Sequence, residues 1–199
     1  MAHSTRNGLI FALALGVVMI GLGVNTFNRL VRLDQAVKAQ WSQVENVYQR
    51  RADLVPNLVE TVKGAAKFEK DTLTAVTEAR ARVGQIQLGA EPADPAALAK
   101  YQQAQDQLSS ALSRLLAVAE SYPELKATAN FRDLQVQLEG AENRIAVERM
   151  RYGEVVQAYN AARDTFPTSV IATRLGARFD EKAYFKAQTG AESAPNVHF

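Results

Sequence analysis

The stretch YQRRADLVPNLVETVKG, residues 48–64, combines a helical pattern with a high density of polar side chains. Val55, Leu58 and Val62 recur at intervals of three and four residues, which is the spacing of a helix that buries one face. The polar residues around the proline in this pattern are Arg50, Arg51, Asp53, Asn57 and Glu60. This group is a candidate for a catalytic site, a binding site or an internal lock of a helix bundle.

Pro56 lies in the middle of that helical pattern. Proline has no N–H to donate to the carbonyl of Ala52, and inside a helix its ring clashes with that carbonyl. The chain must therefore kink at Pro56 or begin a new helix there, with Asp53 as the N-cap. Of the two interpretations we favour the helix break.

The same periodicity extends along the rest of the chain and predicts an all-α fold. Upstream the apolar positions are Leu30, Leu33, Val37, Trp41, Val44 and Tyr48. After a loop at residues 88–95, a seam with coiled-coil-like spacing comprises Leu98, Tyr101, Gln105, Leu108, Leu112, Leu115 and Ala119. A last long helix carries Phe131, Leu134, Leu138, Ala141, Ile145, Tyr152, Val155 and Tyr159. Such stripes cannot be buried separately, so we predict an antiparallel up-and-down bundle of about four long helices.

Residues 8–24 form an apolar run without a charge, and residues 25–27 extend it to the length of a bilayer-spanning helix. We therefore predict a chain in three parts: N-terminus and transmembrane anchor at 1–27, helical bundle at 28–166, and a short amphipathic segment with a tail at 167–199. The alternative is a cleaved signal peptide, because Gly21 and Gly23 resemble a cleavage site.

Basic residues flank the predicted span unequally. Those that follow the span are Arg29, Arg32 and Lys38, whereas Arg6 precedes it. Because basic residues are enriched on the cytoplasmic side of membrane helices, this favours a single-pass protein of the bacterial inner membrane with a cytoplasmic bundle. A periplasmic bundle is the open alternative.

The composition excludes several classes of function. The 23 basic and 21 acidic residues are mixed along the 199-residue chain, so there is no basic stripe for nucleic acid. There is no cysteine, and the two histidines, His3 and His198, lie at the termini. Cysteine-based metal sites, histidine-based triads and di-iron sites of the Glu-x-x-His type are therefore excluded, and we expect no cofactor.

Carboxylates remain as candidates for chemistry. Glu60, Glu139, Glu142 and Glu148 could converge inside the bundle as the site of a hydrolase or a metal-dependent enzyme. Basic residues in the same segments favour ion pairs instead, since an unpaired buried charge costs several kcal/mol. We predict a structural polar lock, in which residues near Pro56 meet partners in the last helix: Arg50, Arg51, Asp53, Asn57, Glu60, Glu139, Glu142, Asn143, Arg144, Glu148 and Arg149.

Four segments carry a resemblance to a known family. They are AQWSQVENVYQRRADLVPNLVETVKGAAKFEKDTLTAVTEARA (39–81), LSRLLAVAESYPELKA (112–127), NFRDLQVQLEGAENRIAVERMRYGEVVQAYN (130–160) and FPTSVIA (166–172). They resemble the LemA family of bacterial membrane-anchored helical proteins. The resemblance implies an N-terminal membrane helix before a helix bundle, and it carries over no catalytic residue and no cofactor. Members of that family are often encoded near membrane-embedded zinc metalloproteases or other envelope proteins, so the resemblance also implies a role in envelope organisation or quality control.

Apolar residues that lie off the main seams or beyond the last helix bear on function. They are Val47, Val136, Val147, Val170, Ile171, Leu175, Phe179, Tyr184 and Phe185. They predict either a homo-oligomer or a C-terminal segment that folds back on its own bundle. We expect a non-enzymatic scaffold that associates with itself or docks envelope partners. The alternatives are an adaptor for a membrane-embedded metalloprotease and, with less support, a carboxylate-based or metal-dependent hydrolase.

Overall fold

The computed structural model describes residues 2–64, 69–86 and 94–186, and all regular structure within them is helical. The helices are α1 Ala2–Lys63, α2 Lys70–Gln85, α3 Pro95–Ala119, α4 Pro123–Lys126, α5 Ala129–Asp164 and α6 Thr168–Leu175, and a 3-10 helix follows at Gly176–Phe179. The predicted all-α fold is confirmed. Most of the predicted loop at 88–95 lies outside the described residues, but Asp94 caps α3 by accepting a hydrogen bond from the Ala96 N–H at 2.8 Å.

Contacts between helices give the direction of each one. From Gln40 to Arg51 along α1, the partners on α5 go from Glu148 back to Glu142, so these two helices are antiparallel. Helix α1 packs mainly on α5, and α2 packs mainly on α3. The arrangement is the up-and-down bundle that the periodicity predicts.

The N-terminal part of α1 stands outside the bundle. Its large apolar side chains between Ile10 and Val24 are 54–72% exposed. By length and composition this helix can cross a membrane. Leu30 is the first buried side chain after it, at 0% exposure, so the bundle begins where the apolar segment ends.

Two hydrophobic clusters fill the bundle. The proximal core, next to the apolar segment of α1, comprises Leu30, Val37, Trp41, Val44, Tyr48, Leu98, Tyr101, Ile145, Tyr152, Val156, Tyr159, Ala172 and Phe179. The distal core contains Leu54, Val55, Leu58, Val59 and Val62 of α1 together with apolar residues of α2, α3, α4 and the first part of α5. Aromatic rings dominate the proximal core, and aliphatic side chains dominate the distal core.

Helix α1 continues through Pro56, so the predicted helix break is wrong. The proline lies on the exposed side of the helix, where its ring displaces no core side chain. The carbonyl of Ala52, which proline deprives of its usual donor, accepts a hydrogen bond from Arg80 Nε of α2 at 3.0 Å. A neighbouring helix thus replaces the missing hydrogen bond, and Asp53 is an interior residue of α1 rather than an N-cap.

The segment after α5 folds back on the bundle. Helix α6 ends at Leu175, and Gly176 caps it with a φ of 55°, which lies in the left-handed region that favours glycine. Phe179 is buried in the proximal core, and the Phe185 ring stacks on Trp41 with centroids 6.0 Å apart. The predicted fold-back therefore holds for these residues. Exposed apolar side chains that stay outside the cores are Val136, Val147, Met150, Phe166, Val170, Leu175 and Tyr184.

Candidate functional site

Arg51 of α1 is the most deeply buried charged side chain of the described residues, at 1% exposure. Its Nη1 donates to Glu142 Oε1 of α5 at 2.6 Å and also to the Ser109 hydroxyl of α3. Its Nη2 donates to Gln105, both to the side-chain oxygen and to the carbonyl at 3.2 Å. One guanidinium therefore connects α1, α3 and α5.

The Tyr48 ring lies one helical turn before Arg51, and its centroid is 5.3 Å from Cζ of the guanidinium. The Glu142 side chain is 43% exposed, so water reaches one partner of the ion pair but not the other. A guanidinium offers donors in a fixed planar arrangement, so it tolerates little sliding of the three helices against one another. The site thus joins α1, α3 and α5 at one level of the bundle through paired polar groups.

The other predicted lock residues of α1 lie on its outer face. Asp53 accepts from Gln49 at 2.7 Å, and Glu60 accepts from Lys63 at 2.7 Å. The remaining two, Arg50 and Asn57, are exposed. The prediction that Arg50, Asp53 and Glu60 would each meet a partner in the last helix is therefore wrong. Without a break at Pro56, the helical rotation of about 100° per residue turns these positions away from α5.

On α5 the predicted lock residues have several different partners. Glu148 accepts from Gln40 of α1 at 2.6 Å and from Arg151 at 2.9 Å. Arg149 donates to the Lys186 carbonyl at 3.2 Å and covers the Phe185 ring at 4.6 Å. The three that face outward are Glu139, Asn143 and Arg144.

The four glutamates that were candidates for a hydrolase do not share a site. Glu60, Glu139, Glu142 and Glu148 pair with Lys63, Gln135, Arg51 and Gln40, respectively. Across residues 2–64, 69–86 and 94–186, no group of three or more acidic or histidine side chains could hold a metal ion. These carboxylates have the geometry of separate surface and helix-pairing contacts.

A second polar cluster lies in the proximal half of the bundle, and sequence reasoning missed it. The Asp34 carboxylate, on a residue that is 7% exposed, pairs with Lys182 at 2.8 Å and with Lys38 at 2.7 Å. Burial by itself would raise the pKa of Asp34, but the hydrogen bonds and charges of Lys182 and Lys38 outweigh it and lower the pKa. This cluster fastens the C-terminal segment to α1.

Two side-chain amides hold the backbone of that segment. Asn160 of α5 donates to the Lys182 carbonyl and accepts from the Lys182 N–H, both at 2.9 Å. Gln102 of α3 does the same for Lys186, at 2.7 and 3.0 Å. Each amide thus satisfies both the N–H and the carbonyl of one residue, as a neighbouring β-strand would. Residues 180–186, hereafter the strap, are bound across α1, α3 and α5.

A cleft of about 510 Å³ opens between α1, α2 and α3, and Tyr48 and Tyr101 form part of its wall. Burial raises the pKa of Tyr101 to about 12 and also raises the pKa of Tyr48. Both hydroxyls therefore stay protonated at neutral pH and cannot serve as general bases there. These two tyrosines therefore contribute hydrogen-bond donors to the wall of the cleft rather than bases.

Comparison with known proteins confirms the family resemblance. The model of the LemA family matches residues 40–199. Protein LemA of Metamycoplasma hominis is 23% identical over 167 residues, which cover 84% of this chain and 72% of the relative. Magnetosome protein MamQ 2 of Paramagnetospirillum magneticum is 23% identical over 196 residues, with 89% and 71% covered. Magnetosome protein MamQ of Magnetospirillum gryphiswaldense is 23% identical over 209 residues, with 94% and 76% covered.

Proposed function

Because the chain belongs to the LemA family and has an apolar helix that can anchor it in a membrane, we propose that it is a non-enzymatic membrane scaffold that acts by self-association. The observation that carries this proposal is the outer face of α5. Val136, Val147 and Met150 are 67%, 40% and 60% exposed on that face, although the opposite face of α5 is already buried in both cores. A helix with two apolar faces needs a second surface to cover the outer one.

The outer face has the spacing of a helix-pairing seam. Val136, Gly140, Asn143, Val147 and Met150 follow one another at intervals of four, three, four and three residues. We call these five residues the outer stripe. Apart from the chain neighbours and the backbone of α5 itself, no atom lies within 4 Å of the position that a Cβ of Gly140 would take, so a second backbone can approach closely there. The occupant that we propose is the outer stripe of a second copy.

Membrane anchoring sets the geometry of this pairing. Two copies anchored in one bilayer have the same orientation, so their α5 helices would pair in parallel around a two-fold axis. Glu139 and Arg144 flank the outer stripe and are five residues apart. In a parallel helix pair this spacing places Glu139 of one copy opposite Arg144 of the other. Both are exposed, and the two-fold axis would generate two Glu139–Arg144 ion pairs.

The test is the mass of the full-length protein released from detergent micelles, measured by native mass spectrometry. We expect dimers or larger assemblies for the natural chain, and monomers for Gly140→Arg, because two arginines would meet at the axis. Gly84→Arg is the matched control, since Gly84 is also an exposed helical glycine with open space around it. Monomers of the natural chain at all concentrations would contradict the proposal.

Charge reversal distinguishes specific pairing of the α5 helices from non-specific hydrophobic association. Glu139→Arg alone and Arg144→Glu alone each place like charges opposite each other and should weaken the assembly. The double variant restores complementarity and should recover it. If the double variant assembles no better than the single variants, α5 does not pair in this way.

We also propose that the bundle faces the cytoplasm of the bacterial inner membrane. Exposed Arg29 and Arg32 directly after the apolar segment support this orientation. Protease added to intact spheroplasts should leave the bundle uncut, and digestion would place it in the periplasm.

The adaptor alternative gives a different crosslinking result: a photo-crosslinker at Val147 would capture a membrane protease instead of a second copy.

A further inference from the structure

We propose that the end of the bundle next to the membrane helix is a second lipid-contacting surface, which lies in the headgroup region of the bilayer that α1 spans. This surface, hereafter the base, consists of residues 165–179: the turn after α5, helix α6 and the 3-10 helix. The proposal rests on membrane anchoring by α1 and does not depend on self-association.

The base lies at the level where the apolar segment of α1 ends. The Phe27 ring at the end of that segment meets the Phe179 ring of the base edge-on, with centroids 5.8 Å apart. The Arg178 guanidinium lies 5.3 Å from the Phe27 ring centroid. Residues 8–27 extend for about 30 Å as a helix, which matches the hydrocarbon thickness of a bilayer. A span that ends at Phe27 therefore places the base at the membrane surface.

Helix α6 has one face on the bundle and one face away from it. Thr168 and Ala172, four residues apart, are buried against the bundle. Val170, on the other side, is 53% exposed, and Leu175 at the C-terminal end of the helix is 45% exposed, while Phe166 in the preceding turn is 84% exposed. Short amphipathic elements of this type bury their apolar face at the boundary between headgroups and acyl chains. The bilayer next to the base supplies that environment.

The charges around the base fit anionic headgroups. Arg174 of α6 is exposed, as are Arg29 and Arg32 on the adjacent part of α1, and these three form no ion pair with any described residue. The acidic residues nearby are Asp164, Asp180 and Glu181, of which Asp164 pairs with Arg163 at 2.6 Å. Arginines directly outside a membrane span are attracted to anionic lipid surfaces. With Phe166 and Val170 in the interface, Arg174 is placed to reach lipid phosphates.

Site-directed spin labelling of the full-length chain in lipid vesicles tests the proposal. The chain has no cysteine, so Val170→Cys gives a single labelled site on the base. The control is Thr77→Cys, an exposed β-branched residue of α2 in the distal half of the bundle. In vesicles of equal parts phosphatidylcholine and phosphatidylglycerol, the label at 170 should collide more with oxygen and less with a water-soluble nickel chelate than the label at 77. Thermal unfolding of each labelled protein checks that the fold is kept.

Two other outcomes would overturn the proposal. Equal collisions with the nickel chelate at positions 170 and 77 would mean that the base faces water. A fall in collisions with both oxygen and the nickel chelate at position 170 would mean that protein, such as a second copy, covers the base. For the headgroup contact, the lipid signature should weaken in vesicles of phosphatidylcholine alone, and Arg174→Gln should remove that dependence. A signature that is the same in both vesicles would refute the role of Arg174.

Discussion

Loss of either partner of the Arg51–Glu142 pair should have unequal effects, because the two side chains differ in exposure. Glu142→Ala leaves a guanidinium that is 1% exposed without its counter-charge. Removing one partner of a buried ion pair costs about 3–5 kcal/mol of stability. Since Ser109 and Gln105 still accept hydrogen bonds from the guanidinium, we expect Glu142→Ala to lose about 3 kcal/mol, the lower end of this range. Arg51→Met fills a similar volume and leaves a carboxylate that is 43% exposed and that water can hydrate. Its cost is mainly the stranded Gln105 acceptor, about 1–2 kcal/mol.

Urea unfolding of the full-length protein in nonionic detergent measures these free energies. The fluorescence of Trp41 reports on the bundle alone, because it is the single tryptophan and is 0% exposed in the proximal core. Arg50→Met, at the exposed neighbouring position, is the control and should change stability by less than about 0.5 kcal/mol. The double variant Arg51→Met/Glu142→Ala should resemble Arg51→Met, since no charge is left buried. Equal costs for the two single variants, or a double variant equal to their sum, would refute the argument.

Three further predictions concern other contacts of the bundle. Arg80→Met should destabilise the natural chain by about 0.5–1.5 kcal/mol and the Pro56→Ala chain by less, since alanine restores the missing helical N–H. Equal losses of stability in both backgrounds would show that the Arg80 hydrogen bond does not compensate for proline. Because the pKa of Asp34 is lowered in the folded chain, its stabilising effect should be complete above about pH 4 and should be lost as the pH falls through the lower pKa of the folded state. The difference in unfolding midpoint between the natural chain and Asp34→Asn should therefore shrink in acid. A difference that stays constant with pH would contradict this. At concentrations where the protein is monomeric, Gly140→Ala should stabilise the bundle by about 0.5–1 kcal/mol in urea unfolding, because the site is open and helical. A loss of stability under these conditions would mean that the site is not open.

The sequence predicted the all-α bundle because apolar spacing alone determines which helix faces must be buried. The same spacing, read strictly, also identifies the two buried charges on α1. Apart from Leu54 and Val59, the buried positions of α1 follow alternating steps of four and three: Leu30, Asp34, Val37, Trp41, Val44, Tyr48, Arg51, Val55, Leu58 and Val62. Asp34 and Arg51 lie on this series, whereas Arg50, Asp53 and Glu60 do not. Periodicity applied to polar residues would therefore have separated the buried tie from the exposed charges around Pro56.

Other contacts could not be predicted from local sequence. The hydrogen bond that compensates for Pro56 comes from Arg80 of another helix, which is 28 residues from the acceptor Ala52. The amide pairs that hold the strap join residues 22 and 84 positions apart. Such contacts depend on where α2, α3 and α5 place their side chains after packing, and a single sequence contains no pattern that encodes them.

The two cores also differ in how much of the chain must be synthesised before each core can form. The distal core needs no residue beyond Leu138, whereas the proximal core needs Phe179, with Phe185 packed against it. Since synthesis proceeds from the N-terminus, the half of the bundle far from the bilayer can fold while the half beside it still lacks its last aromatic residues. During that interval Trp41 has no Phe185 to stack on, and a nascent chain exposes apolar surface at its membrane end. We therefore expect the bundle to fold toward the lipid, with docking of the strap as the last step.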